Sequence, residues 1–167
     1  RENCSFAFMT SPLSSYTFLV TCVHSVIYMT SNFVNEIRTL GRLTSENYYK
    51  FVEELDSTGN TYDIEMEFKI LDENPGKKST QLAKDKIGEN VYYSVFTTQI
   101  QEALEGENKV YNLKEGDIIN VSVKNTNLTL SQSLKNFFYT VVGNDTYTIA
   151  ASSSGLVLRN GDTQVTQ

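Results

Sequence analysis

The chain has 167 residues, of which 40% are hydrophobic and 20% charged, so it is long enough to form one sizeable folded domain. Its formal net charge of −6 argues against a nucleic-acid binder, which needs a basic surface to displace phosphate counterions. The same negative charge argues against docking on anionic lipid headgroups.

The first predicted element is a long uncharged segment. No Asp, Glu, Lys or Arg occurs between residues 3 and 35, and charges are regular from Glu36 onward. The apolar residues of this run surround the axis of a helix, and a helix that is apolar on all sides is buried in lipid or in protein. We therefore expect residues 1–43 to form an apolar N-terminal helix, a membrane anchor or filament core, and residues 44–167 to form a head domain. Pro12 either kinks this helix or marks its start, with Ser11 as the cap.

A helix of this length is too long to be wrapped by one small head domain, so a copy of the same helix is the expected burial partner. Each large side chain contributes roughly 1.5–3 kcal/mol when it is fully buried in such a contact. The residues expected to form this assembly interface are Phe18, Leu19, Val23, Val26, Ile27 and Phe33.

The two cysteines and the single histidine lie within or beside this segment. Cys4 and Cys22 are 18 positions apart, which is about 27 Å along a helix. That separation is too long for a disulfide within one chain, so we expect two unpaired cysteines in a helix packing face. His24 is either a packing residue or a proton-sensitive contact between helices.

The head elements follow in chain order from caps, periodicity and turn residues. Thr44 or Ser45 caps a second helix that ends at residues 57–60. Strict alternation over Tyr62–Ile70 predicts a half-buried strand. Four further elements are predicted: helices at Tyr92–Leu104 and Leu128–Phe138, and strands at Ile118–Val123 and Tyr147–Leu158. The predicted fold class is α+β, a long hydrophobic N-terminal helix followed by a small head with a three- or four-stranded antiparallel sheet and two or three helices.

The sequence contains no constellation typical of catalysis or cofactor binding. One His and two Cys do not supply a zinc site or a nucleophile with its base, and no Gly-rich phosphate loop precedes a helix. Asp63, Glu65 and Glu67 lie at period two on the strand face opposite its apolar residues, so we interpret them as a solvated face. We therefore expect no enzymatic activity, cofactor or metal. Four Asn-x-Ser/Thr sequons, at Asn3, Asn120, Asn127 and Asn144, are close to the number expected by chance and carry no prediction.

The layout of a hydrophobic helix that runs without a linker into an α+β head resembles type IV pilins and pseudopilins. The C-terminal third, with Val121-Ser-Val123, a helical segment that ends at Leu134–Phe138, and the strand Tyr147–Val157, is similar to tight-adherence (Tad-type) pseudopilin-like proteins. The resemblance implies a structural subunit that is inserted in the membrane and then packed by its N-terminal helix into an extracellular filament at the cell surface.

The expected partners are therefore copies of the chain and the membrane machinery of pilus assembly or secretion. The alternative is a monomeric, membrane-anchored surface domain that binds a ligand or a partner.

Overall fold

The computed structural model describes residues 12–72, 92–126 and 150–161, with side chains from Val20 onward. Within these ranges the fold is α+β, with three helices, a four-stranded antiparallel sheet and a separate pair of short strands. The helices are α1 (Pro12–Leu40), α2 (Ser45–Asp56) and α3 (Thr97–Glu105). The strands are β1 (Arg42–Thr44), β2 (Tyr62–Leu71), β3 (Tyr92–Phe96), β4 (Val110–Asn112), β5 (Ile118–Asn125) and β6 (Ala150–Leu156).

The main sheet has the strand order β3-β2-β5-β6, and each neighbouring pair is antiparallel. Alternation in β2 and β5 directs one set of apolar side chains to a single face of the sheet, and α1 packs chiefly against β6 and β5. That buried set is Met66, Phe68, Ile119, Val121 and Val123. The short strands β1 and β4 pair with each other, so the chain that leaves α1 is tied to the segment after α3.

The helix α1 is one-sided in the part where its side chains are described. Its buried residues recur at intervals of mostly three or four: Cys22, Val26, Thr30, Phe33, Val34 and Ile37. Phe33 stacks on Phe51 of α2 with ring centroids 4.1 Å apart and an interplanar angle of 4°. The same core cluster contains sheet residues such as Phe68 and Val121, so a single core extends across position 43.

The fold class predicted from the sequence is wrong in its first element, the long apolar N-terminal helix. The structure places the start of α1 at Pro12, and none of the helices in the described ranges combines the length and the apolar character that a bilayer span requires. Hydroxyl residues dilute the apolar run and bond back to the helix, as Ser25 does to the carbonyl of Thr21 and Thr30 to that of Val26. The chain's own sheet covers the inner face of the helix, so burying that face needs no second copy.

The second helix and the alternating strand are confirmed. The side-chain oxygen of Thr44 accepts a hydrogen bond from the backbone N–H of Asn47 at 3.1 Å, which caps α2. The strand predicted over Tyr62–Ile70 is β2, one residue longer. The strand predicted over Ile118–Val123 is β5, which continues to Asn125.

The helix predicted over Tyr92–Leu104 is only half correct. Its first five residues form β3 and pair with the end of β2, because aromatic and β-branched side chains suit a strand that has a partner. The helix α3 starts at Thr97, where the Gln99 side chain accepts a hydrogen bond from the N–H of Phe96 at 3.1 Å. The helix predicted over Leu128–Phe138 lies outside the described residues. The last predicted strand is described as β6 from Ala150 onward.

Candidate functional site

The outer face of α1 is the first candidate, because the sequence places an assembly interface on this helix. Two of the predicted interface residues, Val26 and Phe33, are buried in the core at 0% and 4% exposure. Val23 is half-buried, whereas Ile27 is 44% exposed and lies on the outer face. The side chains of Phe18 and Leu19 lie outside the described part of the chain.

Two residues that the sequence analysis did not single out lie beside Ile27 on this outer face. Val20 is 47% exposed and Tyr28 is 66% exposed. Together with His24, which is also exposed, they follow the i, i+4, i+7, i+8 spacing of one helix face. We call Val20, Ile27 and Tyr28 the outer stripe. The period of the buried positions identifies this stripe once the inner face is known, but the amino-acid types alone do not.

The histidine and the cysteine of α1 have clear placements. His24 lies on the exposed face of the helix rather than in the packed core. Cys22 is 1% exposed and disulfide-bonded, so the expectation of two unpaired cysteines is wrong. The prediction rested on a single helix that carries both cysteines, a geometry in which they could not pair. Cys4 lies outside the described residues.

The second candidate is the face of the sheet turned away from α1. Direct cross-strand partners share a face, so Phe96, Glu67, Asn120 and Ser154 form one row across all four strands. The next row contains Glu65, Ser122 and Ser152. We call these two rows the outer sheet face.

Hydrogen bonds fix the carboxylates of this face. Oε1 of Glu67 accepts from the hydroxyl of Ser94 at 2.7 Å, and Oε2 accepts from Nδ2 of Asn120 at 3.1 Å. The bonds from Ser94 and Asn120 lower the pKa of Glu67 below its ordinary value, because they favour the ionised form. Glu65 forms an ion pair with Lys124 at 2.7 Å. The hydrogen bond to Glu65 raises the pKa of Lys124 above its ordinary value.

The interpretation of the acidic strand face as solvated therefore needs refinement at one residue. Asp63 and Glu65 are exposed, as expected, but Glu67 is partly buried and hydrogen-bonded on both oxygens. Among the described residues, no group of three or more His, Cys, Asp or Glu side chains is arranged to hold a metal ion.

A cavity of about 460 Å³ opens on this outer sheet face. Its lining includes Glu65, Glu67, Phe96, Asn120, Ser122 and Ser152. This site could not be predicted from the sequence, because its residues come from four strands and only the strand register brings them together. The available signal was the polar half of the alternation in Tyr62–Ile70 and Ile118–Val123.

A buried carboxylate, Asp117, lies at another cavity between β2, β3 and β4 but has a structural role. It is 1% exposed, and its two oxygens accept from the backbone N–H groups of Leu71 at 2.9 Å and Lys114 at 2.7 Å. These bonds close the turn before β5 and attach it to the end of β2. Burial, together with the neighbouring Tyr93 and Asp117, raises the pKa of Tyr111 at the same cavity.

In comparisons with known proteins, no family model, no curated protein and no solved structure matches this chain.

Proposed function

We propose that this protein is a structural subunit that associates with copies of itself through the outer stripe of α1, building an extracellular polymer. The observation that carries the proposal is the exposure of Val20, Ile27 and Tyr28 on one face of a helix whose opposite face is already buried. Burying such a stripe against another molecule removes its apolar area from water, which favours association by about 25 cal/mol per Å².

The stripe occupies a defined part of the helix. After Tyr28 the outer face becomes polar, with exposed Asn32, Asn35 and Thr39. A contact between copies is therefore confined to the first half of α1. The second half of α1 packs only through its inner face, against the sheet and α2.

Charge does not oppose a contact between copies that is confined to the outer stripe. The molecule carries a net charge of −6, and apart from Arg1 and Glu2 its charged residues begin at Glu36. Two acidic heads repel each other, whereas the uncharged part of α1 brings no like charges together when it meets an identical helix. The contact thus joins the molecules where repulsion is weakest.

This proposal modifies the interface expected from the sequence. Val26 and Phe33 already fill the core of their own chain, so Ile27 is retained while Val20 and Tyr28 join it. Phe18 and Leu19 remain part of the proposed interface on the grounds of sequence alone. A stripe that met the same stripe of a second copy would close as a dimer, so the proposed polymer requires a heterologous contact in which the outer stripe packs on a different surface of the next copy. Such a repeating contact is what the sequence resemblance to type IV pilins and pseudopilins implies.

The disulfide at Cys22 supports an extracytoplasmic location for the polymer, because disulfides persist in oxidising compartments and are rare in the cytosol. A polymer at the cell surface, as the sequence resemblance implies, is consistent with such a compartment, and we propose that location.

Photo-crosslinking tests the proposal directly. A benzoylphenylalanine at position 28 should give covalent dimers and higher multimers of the chain after irradiation. The matched control is the same residue at position 39, which lies on the polar half of the same outer face. Equal crosslinking at both positions, or none at position 28 at high protein concentration, would contradict the outer stripe as the interface. A chain that stays monomeric would favour the surface domain that binds a ligand or partner.

A further inference from the structure

The cavity on the outer sheet face has a composition that indicates a ligand. Its floor combines a carboxylate, a carboxamide and two hydroxyls, from Glu67, Asn120, Ser122 and Ser152. Its volume of about 460 Å³ falls in the range of roughly 300–1,000 Å³ that is common for small-molecule sites. The helix α1 packs on one face of the sheet, and the cavity opens on the other. The cavity is therefore separate from the outer stripe.

The central polar groups of the cavity are held in place before any ligand arrives. Glu67 accepts from Ser94 and from Asn120, and the second of these bonds orients the Asn120 amide. Each carboxylate oxygen retains capacity to accept a further hydrogen bond, as does the amide oxygen of Asn120. The lowered pKa of Glu67 keeps this acceptor ionised at neutral pH.

An aromatic ring forms one wall of the cavity. Phe96 is the direct cross-strand partner of Glu67 and is 56% exposed. Its ring lies at the edge of the floor, where it offers an apolar surface beside the row of polar groups. Strand pairing with β2 and the start of α3 at Thr97 fix the backbone that carries this ring.

The charges of the cavity disfavour anionic ligands. Two lysines lie near the cavity. Lys124 is engaged by Glu65 at 2.7 Å, so it neutralises that carboxylate rather than serving a bound anion. Lys69, two residues from Glu67 along β2, acts on the Glu67 carboxylate but is not part of the cavity lining. The ionised Glu67 further repels phosphate, sulfate and carboxylate groups. The described residues also offer no cluster suited to a metal ion. Both oxygens of Glu67 and the amide of Asn120 can accept from hydroxyl donors, and the exposed ring of Phe96 can pack on an apolar face. A neutral polyhydroxyl ligand with one apolar face combines these two features.

We propose that this cavity binds a neutral saccharide, with sugar hydroxyls donating to Glu67 and Asn120 and the C–H face of the sugar ring packed on Phe96. A polymer of such subunits would present one saccharide site per copy. The site does not depend on self-association, because its residues all belong to one chain and lie away from the outer stripe.

Saturation-transfer difference NMR with cellotetraose, maltotetraose and chitotetraose tests this proposal, since the method works for both monomers and large assemblies. At least one of the three should bind at millimolar concentration or below. Phe96→Ala and Asn120→Ala should each weaken that binding by about fivefold or more. The control Tyr49→Ala removes another exposed aromatic side chain, on α2 and outside the cavity lining, and should leave the affinity unchanged.

Two results would overturn the saccharide site. One is the absence of transfer to all three sugars at millimolar concentration. The other is binding that persists unchanged in both cavity variants, which would place the sugar elsewhere. Circular dichroism of each variant separates loss of the site from loss of the fold. Failure of the outer stripe to associate would leave these binding results unaffected, so the two proposals fail independently.

Discussion

Nε of Arg38, in the last turn of α1, donates a hydrogen bond of 2.7 Å to the carbonyl oxygen of Leu156, 118 positions later in the chain. The guanidinium also bonds Oδ1 of Asn35 at 3.1 Å and lies directly over Gly155. A Cβ at position 155 would collide with the Arg38 side chain, so the guanidinium can occupy this place only because residue 155 is a glycine. This contact connects the end of α1 to the end of β6.

We expect Arg38→Ala to lower the free energy of unfolding by about 1.5–3 kcal/mol, the range for hydrogen bonds to charged groups. Gly155→Ala should also destabilise the fold, because the new methyl group displaces the guanidinium. The two losses should not add in the double variant, since both remove the same contact. Urea unfolding of the four proteins measures this coupling, and strictly additive losses would contradict it.

The packing of α1 into its own domain gives a second prediction. Phe33→Ala should cost about 3–5 kcal/mol, because it leaves a cavity beside the stacked ring of Phe51. Tyr28→Ala, on the exposed face of the same helix, should change stability by only about 0.5 kcal/mol or less. Chemical denaturation of the dilute protein checks both. Similar small effects for the two variants would mean that α1 does not belong to this core.

The elements of this fold that could be predicted from the sequence are those set by local interactions. The cap of α2 at Thr44 and the alternating pattern of β2 each depend on residues that are close in sequence, and both elements were predicted correctly. The strand β3 was missed because its conformation depends on pairing with β2, at a distance in sequence. Apolar residues around the whole of α1 could not reveal that Val26 and Phe33 face the sheet while Ile27 faces outward.

The candidate sites divide in the same way. Ile27 was found from composition, but Val20 and Tyr28 gain meaning only when the inner face of α1 is known. The grouping of Phe96, Glu67 and Asn120 depends on strand register, which no local pattern specifies. The disulfide at Cys22 was missed because the start of α1 was uncertain in the sequence.

The glycine at the end of α1 gives a third prediction. Gly41 has φ +67°, and a Cβ there would collide with the carbonyl oxygen of Arg159, a backbone atom that cannot move aside easily. Gly116 has φ +96°, but a Cβ there would meet only Leu71 Cδ2, at the ordinary contact distance of 3.8 Å. We expect Gly116→Ala to cost about 1–2 kcal/mol from backbone strain alone. Gly41→Ala should cost about 3 kcal/mol or more, because overpacking adds to the strain.

Thermal unfolding of the two alanine variants measures that difference. Equal losses of stability would show that the close approach of Gly41 to Arg159 does not constrain the fold.

Two half-buried tyrosines give a fourth prediction, on alkaline stability. Burial raises the pKa of both Tyr62 and Tyr111 above the ordinary value, so the folded state holds their protons more tightly than the unfolded state does. Their stabilising contribution is complete below the unfolded pKa of about 10 and is lost as pH rises through the higher folded pKa. The free energy of unfolding should therefore fall as pH increases beyond about 10.

Urea titrations at a series of alkaline pH values test this, with Tyr62→Phe and Tyr111→Phe as matched variants. The double variant should lose less stability over the same pH range. A wild-type stability that is constant or rises through this range would contradict the assignment.

The most direct test of the central claim is sedimentation velocity of the wild-type protein beside a variant with Val20→Ser, Ile27→Ser and Tyr28→Ser. The wild type should form species that grow with concentration, and the variant should remain a folded monomer. Asn32→Ala with Thr39→Ala, on the polar half of the same face, should still associate. A triple variant that forms the same species as the wild type would show that the outer stripe of α1 is not the assembly interface.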